Sequence, residues 1–228
     1  MSDTHSTAQL ILAAARRQFS AQGYDATSVA GIAREVGVVE GAVYRHFSSK
    51  RDLLQSVIRS FYEPLIDDAR AGAAAIDAPR DRLRFLIRRQ LRAINDDPEL
   101  CRLIISEARS FDDYYESEVA DLSRTYTGLV VAAVADGVAR GHFRDDVPAD
   151  MIRDVIYGGI EHMAWSALSG HGHIDPDTVA THLMAIVCVG IDNPDPSGDG
   201  MADGLERLDA VVDRLDAALG ELTEAGSR

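Results

Sequence analysis

The chain has 228 residues, of which 46% are hydrophobic and 26% are charged, and its formal net charge is −14. This balance is typical of a globular protein with one or two domains and a substantial core. The sequence has no apolar run of about 18 residues, which excludes a transmembrane helix, and MSDTHST lacks the features of a signal peptide. We therefore expect a cytoplasmic protein that makes no membrane contact.

The first predicted helix covers about residues 7 to 22 and is closed by Gly23. Its apolar residues recur at helical spacing, so that one face of the helix is expected to be buried. The residues of this predicted face are Leu10, Ile11, Ala14, Ala15 and Phe19.

Residues 27–54, TSVAGIAREVGVVEGAVYRHFSSKRDLL, predict two short helices joined by a tight turn. Thr27 and Ser28 are suitable N-caps, because their hydroxyls can accept the free N–H groups of a first helical turn. Gly37 stands where the end of the first helix needs a residue that tolerates positive φ. The second helix begins at Val39, and Ser49 caps the next one. This is the layout of a helix-turn-helix, whose second helix enters the major groove of DNA.

The exposed face of that second helix is predicted to read DNA. Small residues at its start allow close approach to base edges, and Arg45 can pair with guanine or with phosphate. The other polar side chains have the reach for phosphate oxygens, which set the register of binding. The predicted DNA-binding residues are Thr27, Ser28, Val39, Glu40, Gly41, Ala42, Tyr44, Arg45, His46 and Lys50.

The pattern GYDATSVAGIAREVGVVEGAVYRHFSSKRDLL resembles the N-terminal domain of TetR-type transcriptional regulators, and the resemblance covers roughly residues 8 to 56. It implies an all-α homodimer that binds a palindromic DNA operator. It further implies release of the operator when a small molecule binds the C-terminal domain and changes the spacing of the two recognition helices. A regulator of this kind is not an enzyme and needs no cofactor.

The charge is distributed unevenly along the chain. Residues 1–56 carry six basic and five acidic side chains, whereas the remainder carries 17 basic and 32 acidic ones. The head is thus nearly neutral and the body strongly acidic, so DNA is expected to contact the head alone. With so few cations in the head, non-specific DNA affinity is expected to be weak and to disappear early as salt rises.

The rest of the chain predicts further helices and no β-type alternation, which indicates an all-α fold. A helix from Lys50 is expected to kink or end at Pro64, and another begins at Pro79 with an arginine-rich, solvated face. Asp97 caps the next helix, which is expected to run to about residue 110. A long helix is predicted over about residues 112 to 140, ending at Gly141.

Residues 149–168, ADMIRDVIYGGIEHMAWSAL, form a predicted helix that is apolar on most of its faces. Gly158 and Gly159 weaken such a helix but allow another helix or a ligand to come close. We expect this helix and a second one over residues 176–191 to pair with their copies in a homodimer.

Glu161 interrupts this apolar helix and needs a partner, because a buried carboxylate is costly unless it is paired. Two interpretations stay open: a structural ion pair with Arg109, or a pocket wall made from Tyr157, His162 and Trp165 with Arg109 as an anion anchor. The predicted ligand-binding residues are Arg102, Arg109, Tyr157, Glu161, His162 and Trp165.

Three further segments, LIISEARSF, GVARGHFRDD and MIRDVIYGGIEHMAW, are similar to TetR-type regulators of fatty-acid degradation, which sense acyl-CoA thioesters. This resemblance implies a small-molecule effector of the acyl-CoA class. Such a ligand needs a long apolar slot and cations for its phosphates, and Arg88, Arg102 and Arg109 are candidates for the latter.

The cysteines and one loop of the sequence give less information about function. Cys101 and Cys188 are expected to be buried free thiols, and the loop HGHIDPD is expected to be solvated rather than a metal site, with Asp175 capping the next helix. The predicted domains are a helix-turn-helix at 1–56, a ligand-binding and dimerisation domain at 57–191, and a linker with an amphipathic helix at 192–228. The alternative to a repressor is an α-helical interaction protein or enzyme that does not bind DNA.

Overall fold

A computed structural model describes residues 2–106, 109, 111–169 and 173–193, with the side chains of residues 2–6 left aside. The helix predicted at 205–222 lies outside the described residues. Within the described ranges the structure has nine α-helices and one short 3₁₀ helix at Tyr114–Glu116. The α-helices are α1 (Ser2–Ala26), α2 (Val29–Val36), α3 (Glu40–Tyr44), α4 (Lys50–Ala74), α5 (Pro79–Asp96), α6 (Pro98–Ser106), α7 (Glu118–Ala139), α8 (Ala149–Leu168) and α9 (Pro176–Ile191).

The all-α prediction is confirmed for these residues, because their only β-type contact is an isolated bridge between Phe143 and Asp192. The backbone of α1 is not helical at Gly23, whose φ is 83°, so the predicted end of the first helix corresponds to a break at this residue. A further helical segment follows the break and reaches Ala26. Leu10, predicted on the buried face, is instead exposed. It lies next to the buried face of the helix, on which Ile11 and Ala14 are fully buried.

The fourth helix joins head and body without a break. It continues through Pro64 to Ala74, so of the two outcomes predicted at the proline, a kink or an end, the end does not occur. Its buried residues begin at Leu53 in the head and continue to Ala73 in the body, and they belong to one hydrophobic cluster. A movement of this helix in the body therefore moves the head as well.

The body helices begin where their capping residues predict. Pro79 starts α5, the Asp97 carboxylate accepts a hydrogen bond from the Leu100 N–H (3.1 Å), and the Asp175 carboxylate accepts one from Asp177. The solvated arginine face of α5 is also confirmed, because its arginines pair with carboxylates of neighbouring elements, as Arg82 does with Asp136. The helix predicted at 112–140 begins later, at Glu118, because Ser117 accepts the Ala120 N–H and caps it there.

Candidate DNA-reading head and effector cavity

Two short helices of the head have the geometry of a helix-turn-helix. Ser28 caps α2, its hydroxyl accepting a hydrogen bond from the Gly31 N–H at 3.0 Å. Gly37 ends α2 in the left-handed region, with φ 77° and ψ 29°, and the N–H of Val38 donates to the Ala33 carbonyl at 2.9 Å. The chain then turns at once into α3, whose N-cap is Val39. The predicted turn is therefore present, and a glycine is needed in it.

The exposed face of α3 presents most of the residues predicted to contact DNA. Val39, Glu40, Gly41, Tyr44 and Arg45 are exposed. The remaining predicted residues with at least partial exposure are Ser28, His46 and Lys50. These side chains flank the surface on which a duplex would lie.

Two of the predicted DNA-binding residues are buried instead. Thr27 is 2% exposed, and its hydroxyl donates to the Gly23 carbonyl at 2.7 Å, so it holds the end of α1 rather than capping α2. Ala42 is 6% exposed because it packs towards the core beside Val43, one helical position away from the exposed face. The prediction that both lie at the surface is wrong.

Half of the cations in the head are held in ion pairs. Arg16 pairs with Asp97 of the body, and Arg17 donates to Glu35 at 2.7 Å. A third pair, Arg51 with Asp113, is described below. In the part of the head that the structure describes, the cations outside ion pairs are Arg34, Arg45 and Lys50. The Lys50 ammonium lies 4.3 Å from the centroid of the Tyr24 ring.

The body contains a cavity of about 430 Å³ between α4, α5, α7, α8 and the 3₁₀ helix. Five of the seven tyrosines in the chain line it, which makes its wall both aromatic and rich in hydroxyls. These tyrosines are Tyr62, Tyr114, Tyr115, Tyr126 and Tyr157. The charged residues that line it are Arg109, Arg124, Arg153, Asp154 and Glu161.

An ion pair between Arg109 and Glu161 forms one wall of this cavity. The Arg109 guanidinium donates two hydrogen bonds to the Glu161 carboxylate, at 2.9 and 2.7 Å. Burial alone would lower the pKa of Arg109, but its hydrogen bonds with Glu161 and the negative charge of that carboxylate together outweigh burial and raise that pKa above its ordinary value. Of the two interpretations that the sequence left open for Glu161, the structure contains the ion pair with Arg109.

The same ion pair also borders a second, smaller chamber of about 30 Å³. Tyr62 and Gln90 line both spaces as well. The other residues of the small chamber are apolar: Phe61, Leu65, Ile94, Cys101, Ile104 and Ile105. The ion pair thus borders both the open cavity and a chamber about the size of one water molecule, in which six of the ten lining residues are apolar.

Three of the cavity tyrosines contact one another in a row. The ring centroids of Tyr62 and Tyr126 are 6.2 Å apart, and those of Tyr126 and Tyr157 are also 6.2 Å apart. Burial raises the pKa of Tyr62 to about 12, although its hydrogen bond with Ser123 lowers it. Burial likewise raises the pKa values of Tyr126 and Tyr157. The buried hydroxyl of Tyr126 has no hydrogen-bond partner among the described residues.

The structure brings together only half of the residues predicted to bind a ligand. Arg109, Tyr157 and Glu161 line the cavity. His162 and Trp165 are exposed: His162 follows Glu161 and leaves the face that borders the cavity, and Trp165 shares that face but lies one turn beyond the end of the cavity. A pocket wall made from Tyr157, His162 and Trp165 is therefore not formed.

The arginines predicted to serve a phosphate-bearing ligand are also separated. Arg102 lies at a different cavity of about 180 Å³ next to α1, where it donates to the Ser20 carbonyl. Arg88 pairs with Asp177 of α9. Sequence reasoning missed the cavity residues Tyr62, Tyr114, Tyr115, Arg124, Tyr126 and Arg153. The available signal was that five of seven tyrosines fall between residues 62 and 157.

The α8 and α9 helices expose an apolar face on the opposite side of the body. Ile186 and Val189 are 70% and 88% exposed, and Met151 and Val155 are also exposed. These side chains border a shallow groove of about 190 Å³. Gly190 borders the same groove, and a Cβ atom added to it would meet no other atom within 4 Å, so this part of α9 is open.

The described residues contain neither a cluster of metal ligands nor a helix that could span a membrane. Among them no three His, Cys, Asp or Glu side chains cluster as metal ligands would. His171 is the first residue of the loop HGHIDPD, which is predicted to be solvated, and it lies outside the described residues. None of the helices within the described ranges has both the length and the apolar character required to cross a membrane. Cys101 is buried, whereas Cys188 is only partly buried, and both are free thiols.

The fold and the site together define a helical, DNA-binding regulator of transcription. Residues 11–57 match the N-terminal domain of bacterial regulatory proteins of the tetR family, and residues 76–191 match the tetracyclin repressor-like C-terminal domain. The chain therefore belongs to the TetR family. Its relatives are transcriptional regulators and not enzymes.

Two curated relatives span nearly the whole described chain. The HTH-type transcriptional repressor KstR2 of Mycolicibacterium smegmatis is 25% identical over 185 residues, which cover 79% of this chain and 88% of the relative. The fatty acid metabolism regulator protein of Bacillus subtilis is 21% identical over 187 residues, covering 80% and 94%. A crystal structure of FadR from Bacillus subtilis in complex with stearoyl-CoA shares the fold, with a TM-score of 0.72 and 18% identity over 78% and 96% of the two chains.

Proposed function

We propose that this TetR-family regulator is a repressor that binds a palindromic operator as a homodimer and releases it when a small effector enters the body. We further propose that the effector is an acyl-CoA thioester. The observation that carries the proposal is the tyrosine-lined cavity, whose Arg109–Glu161 wall lies in the same chain as an exposed recognition helix. Such a repressor acts on DNA in the cytoplasm.

The DNA-binding part of the proposal assigns different roles to two cations of the head. Arg45 is exposed at the end of α3 and in no ion pair that the described residues show, so it is available to guanine edges in the major groove. Lys50 stands at the start of α4, where its ammonium can contact phosphate. In a dimer the two α3 helices must lie about 34–36 Å apart to enter successive major grooves.

Selection of a duplex from a random library, followed by fluorescence anisotropy, tests these roles. Arg45→Ala is expected to relax preference at particular base pairs by about 1–3 kcal/mol, whereas Lys50→Ala weakens binding to all sequences alike. Arg17→Ala is the matched control, because Arg17 is already paired with Glu35. If no duplex is selected at low salt, DNA binding as a whole fails. An equal loss of operator and random-DNA affinity in Arg45→Ala would remove its base-reading role.

The dimer is supported by the apolar face of α8 and α9. Ile186 and Val189 are large apolar residues that water would surround in a monomer, and burial of such side chains stabilises an association by about 25 cal/mol per Å². The open surface at Gly190 lets a helix of a second copy approach closely. We propose a second copy of this chain as the occupant of the face, because a palindromic operator requires two equivalent heads.

Sedimentation velocity tests this dimer. The wild type is expected to sediment as a dimer, and Ile186→Asp is expected to dissociate it because the carboxylate would lie in an apolar interface. Thr181→Asp, at an exposed position in the second turn of α9, is a control outside the groove residues. A monomeric wild type, or an Ile186→Asp variant as dimeric as the wild type, contradicts the proposal.

The acyl-CoA proposal depends on the chemistry of the two joined spaces. Arg124 and Arg153 line the large cavity, where they pair with Asp121 and Asp154, and we propose that they exchange these carboxylates for the phosphates of coenzyme A. The apolar side chains of the small chamber suit an acyl chain. A chamber of about 30 Å³ is too small for more than a few atoms of a chain, so entry requires the Arg109–Glu161 wall to move. The names of the relatives that regulate fatty acid metabolism or bind stearoyl-CoA support the same class.

Titration with stearoyl-CoA, coenzyme A and stearate separates the parts of such a ligand. Trp165 is the single tryptophan of the chain and stands one helical turn from Glu161, so its fluorescence offers a signal without a label. Stearoyl-CoA is expected to bind more tightly than either part alone and to lower operator affinity. Arg124→Ala is expected to weaken stearoyl-CoA binding about tenfold and to leave stearate binding unchanged. Equal binding of stearoyl-CoA and stearate would exclude a role for the coenzyme part.

A further inference from the structure

We propose that the segment between α6 and α7 carries the state of the effector cavity to the DNA-reading head, and that Arg51 receives it there. This segment, Arg109 with residues 111–117, is called the connector below. The proposal rests on the proposed function in one respect only, which is that the protein binds a particular duplex. It does not depend on the identity of the effector.

The connector forms one side of the cavity. Arg109 donates two hydrogen bonds to Glu161 on α8, and the rings of Tyr114 and Tyr115 line the same space. Tyr114 is buried, whereas Tyr115 is exposed. A molecule that fills the cavity must touch these side chains or move the ion pair, so the connector responds to occupancy.

The same short segment contacts the head directly. Asp113 forms an ion pair with Arg51, and the Arg51 guanidinium carbon lies 4.7 Å from the centroid of the Phe111 ring. Phe111 also packs edge-on against Tyr24, with ring centroids 5.3 Å apart and an interplanar angle of 82°. Tyr24 follows the break in α1, and Arg51 is the second residue of α4, so both lie next to the helix-turn-helix in the chain.

Residues that face the cavity and residues that face the head are joined by a local hydrogen-bond network. The N–H of Tyr114 donates to the Phe111 carbonyl at 2.9 Å, and the N–H of Glu116 donates to the Asp113 carbonyl at 3.1 Å. The N–H and the hydroxyl of Ser117 both donate to the Tyr114 carbonyl. Because these bonds define a 3₁₀ turn, Tyr114 cannot shift without moving Phe111 and Asp113.

The far end of the connector is also tied to α4. Glu118, the first residue of α7, accepts two hydrogen bonds from Arg59, of which the one from Nε is 2.7 Å long. The pairs made by Arg51 and Arg59 therefore attach the connector to the first half of α4. A displacement at the cavity thus reaches the helix that carries the head, and exposed ion pairs of this kind can switch at low free-energy cost.

A thermodynamic cycle without any effector tests the proposal. Glu161→Gln weakens the Arg109 pair at the cavity, and operator affinity is measured by anisotropy on a duplex selected with the wild-type protein. The uncoupled background is Phe111→Leu with Asp113→Asn, which removes the ring contacts and the ion pair to Arg51. We expect Glu161→Gln to change affinity about fivefold or more in the wild type and less than about twofold in the uncoupled background.

The matched control background changes the same residue types away from the connector. Phe85→Leu with Asp68→Asn removes a partly buried aromatic ring and an Asp–Arg ion pair between α4 and α5. In this background the effect of Glu161→Gln is expected to persist in full. Circular dichroism melts establish that each variant is folded, and Arg109→Lys replaces Glu161→Gln if the latter does not fold.

Three results would overturn the proposal. The first is an effect of Glu161→Gln that persists in the uncoupled background, and the second is an effect lost equally in the control background. The third is the absence of any effect from Glu161→Gln and Arg109→Lys in the wild type. A failure of stearoyl-CoA to bind would refute the acyl-CoA proposal and leave this cycle unaffected. If no duplex is selected at all, the proposed function itself fails, before the cycle begins.

Discussion

The salt dependence of the proposed operator complex follows from the few cations that the head leaves outside ion pairs. Within its described residues these are Arg34, Arg45 and Lys50, so a dimer brings about six of them to DNA. Each phosphate charge neutralised, including those that flank the groove-bound Arg45, contributes about −0.9 to the slope of log K against log salt, which gives a slope of about −5. Affinity is then expected to fall about 10³-fold between 50 and 200 mM salt.

Fluorescence anisotropy at four or five salt concentrations measures this slope. Lys50→Ala is expected to make it less steep by about 2 in the dimer, because two phosphate contacts are lost, whereas Arg17→Ala is expected to leave it unchanged. If the paired cations Arg16, Arg17 and Arg51 also turned to phosphate, the slope would approach about −11. A slope steeper than about −9, or an equal effect of the two substitutions, would refute the reasoning from ion pairs.

Three further predictions concern stability, measured by urea denaturation. Tyr126→Phe is expected to stabilise the protein by about 1 kcal/mol, because it removes a buried hydroxyl without a hydrogen-bond partner among the described residues. Tyr62→Phe is expected to destabilise the protein by about 1 kcal/mol, because it breaks the hydrogen bond with Ser123. Changes of the same sign in the free energy of unfolding of the two variants would contradict this. Burial raises the pKa of Tyr62 to about 12, so the stability that its neutral hydroxyl contributes is complete below pH 10 and is lost as the pH rises from 10 to 12. The urea midpoint is therefore expected to fall between pH 10 and 12, and to fall less steeply in Tyr62→Phe. Gly137→Ala is expected to destabilise by about 1–3 kcal/mol, since its Cβ would lie 2.1 Å from the ring of Phe143; an unchanged midpoint would show that the ring moves freely.

Local chemistry explains why the head was largely predictable from sequence. Ser28, Gly37 and Ser49 act through hydrogen bonds and φ values that involve residues at most four positions away, so each can be recognised from its neighbours alone. Thr27 and Ala42 show the limit of such reasoning. Both lie one position from an exposed residue, and only the packing of α1 against α2 and α3 decides which of the neighbours is buried.

The cavity depends on contacts between residues far apart in the chain. The pairing of Glu161 with Arg109 was one of two interpretations that the sequence left open, because the cost of a buried carboxylate demands a partner but does not identify it. Helical periodicity placed Tyr157, Glu161 and Trp165 on one face of α8, yet the cavity covers only the N-terminal part of that face. How far a cavity extends along a helix depends on the neighbouring helices.

The sequence by itself determined the family, the all-helical class, the recognition helix and the helix caps, because these depend on motifs and on periodicity within short segments. Only the tertiary structure decided that five tyrosines surround one cavity, that Arg102 lies elsewhere, and that Phe111 and Asp113 contact Tyr24 and Arg51. The physical reason is that such contacts depend on how helices pack across separations of 50 residues or more, and periodicity specifies a buried face without specifying its partner.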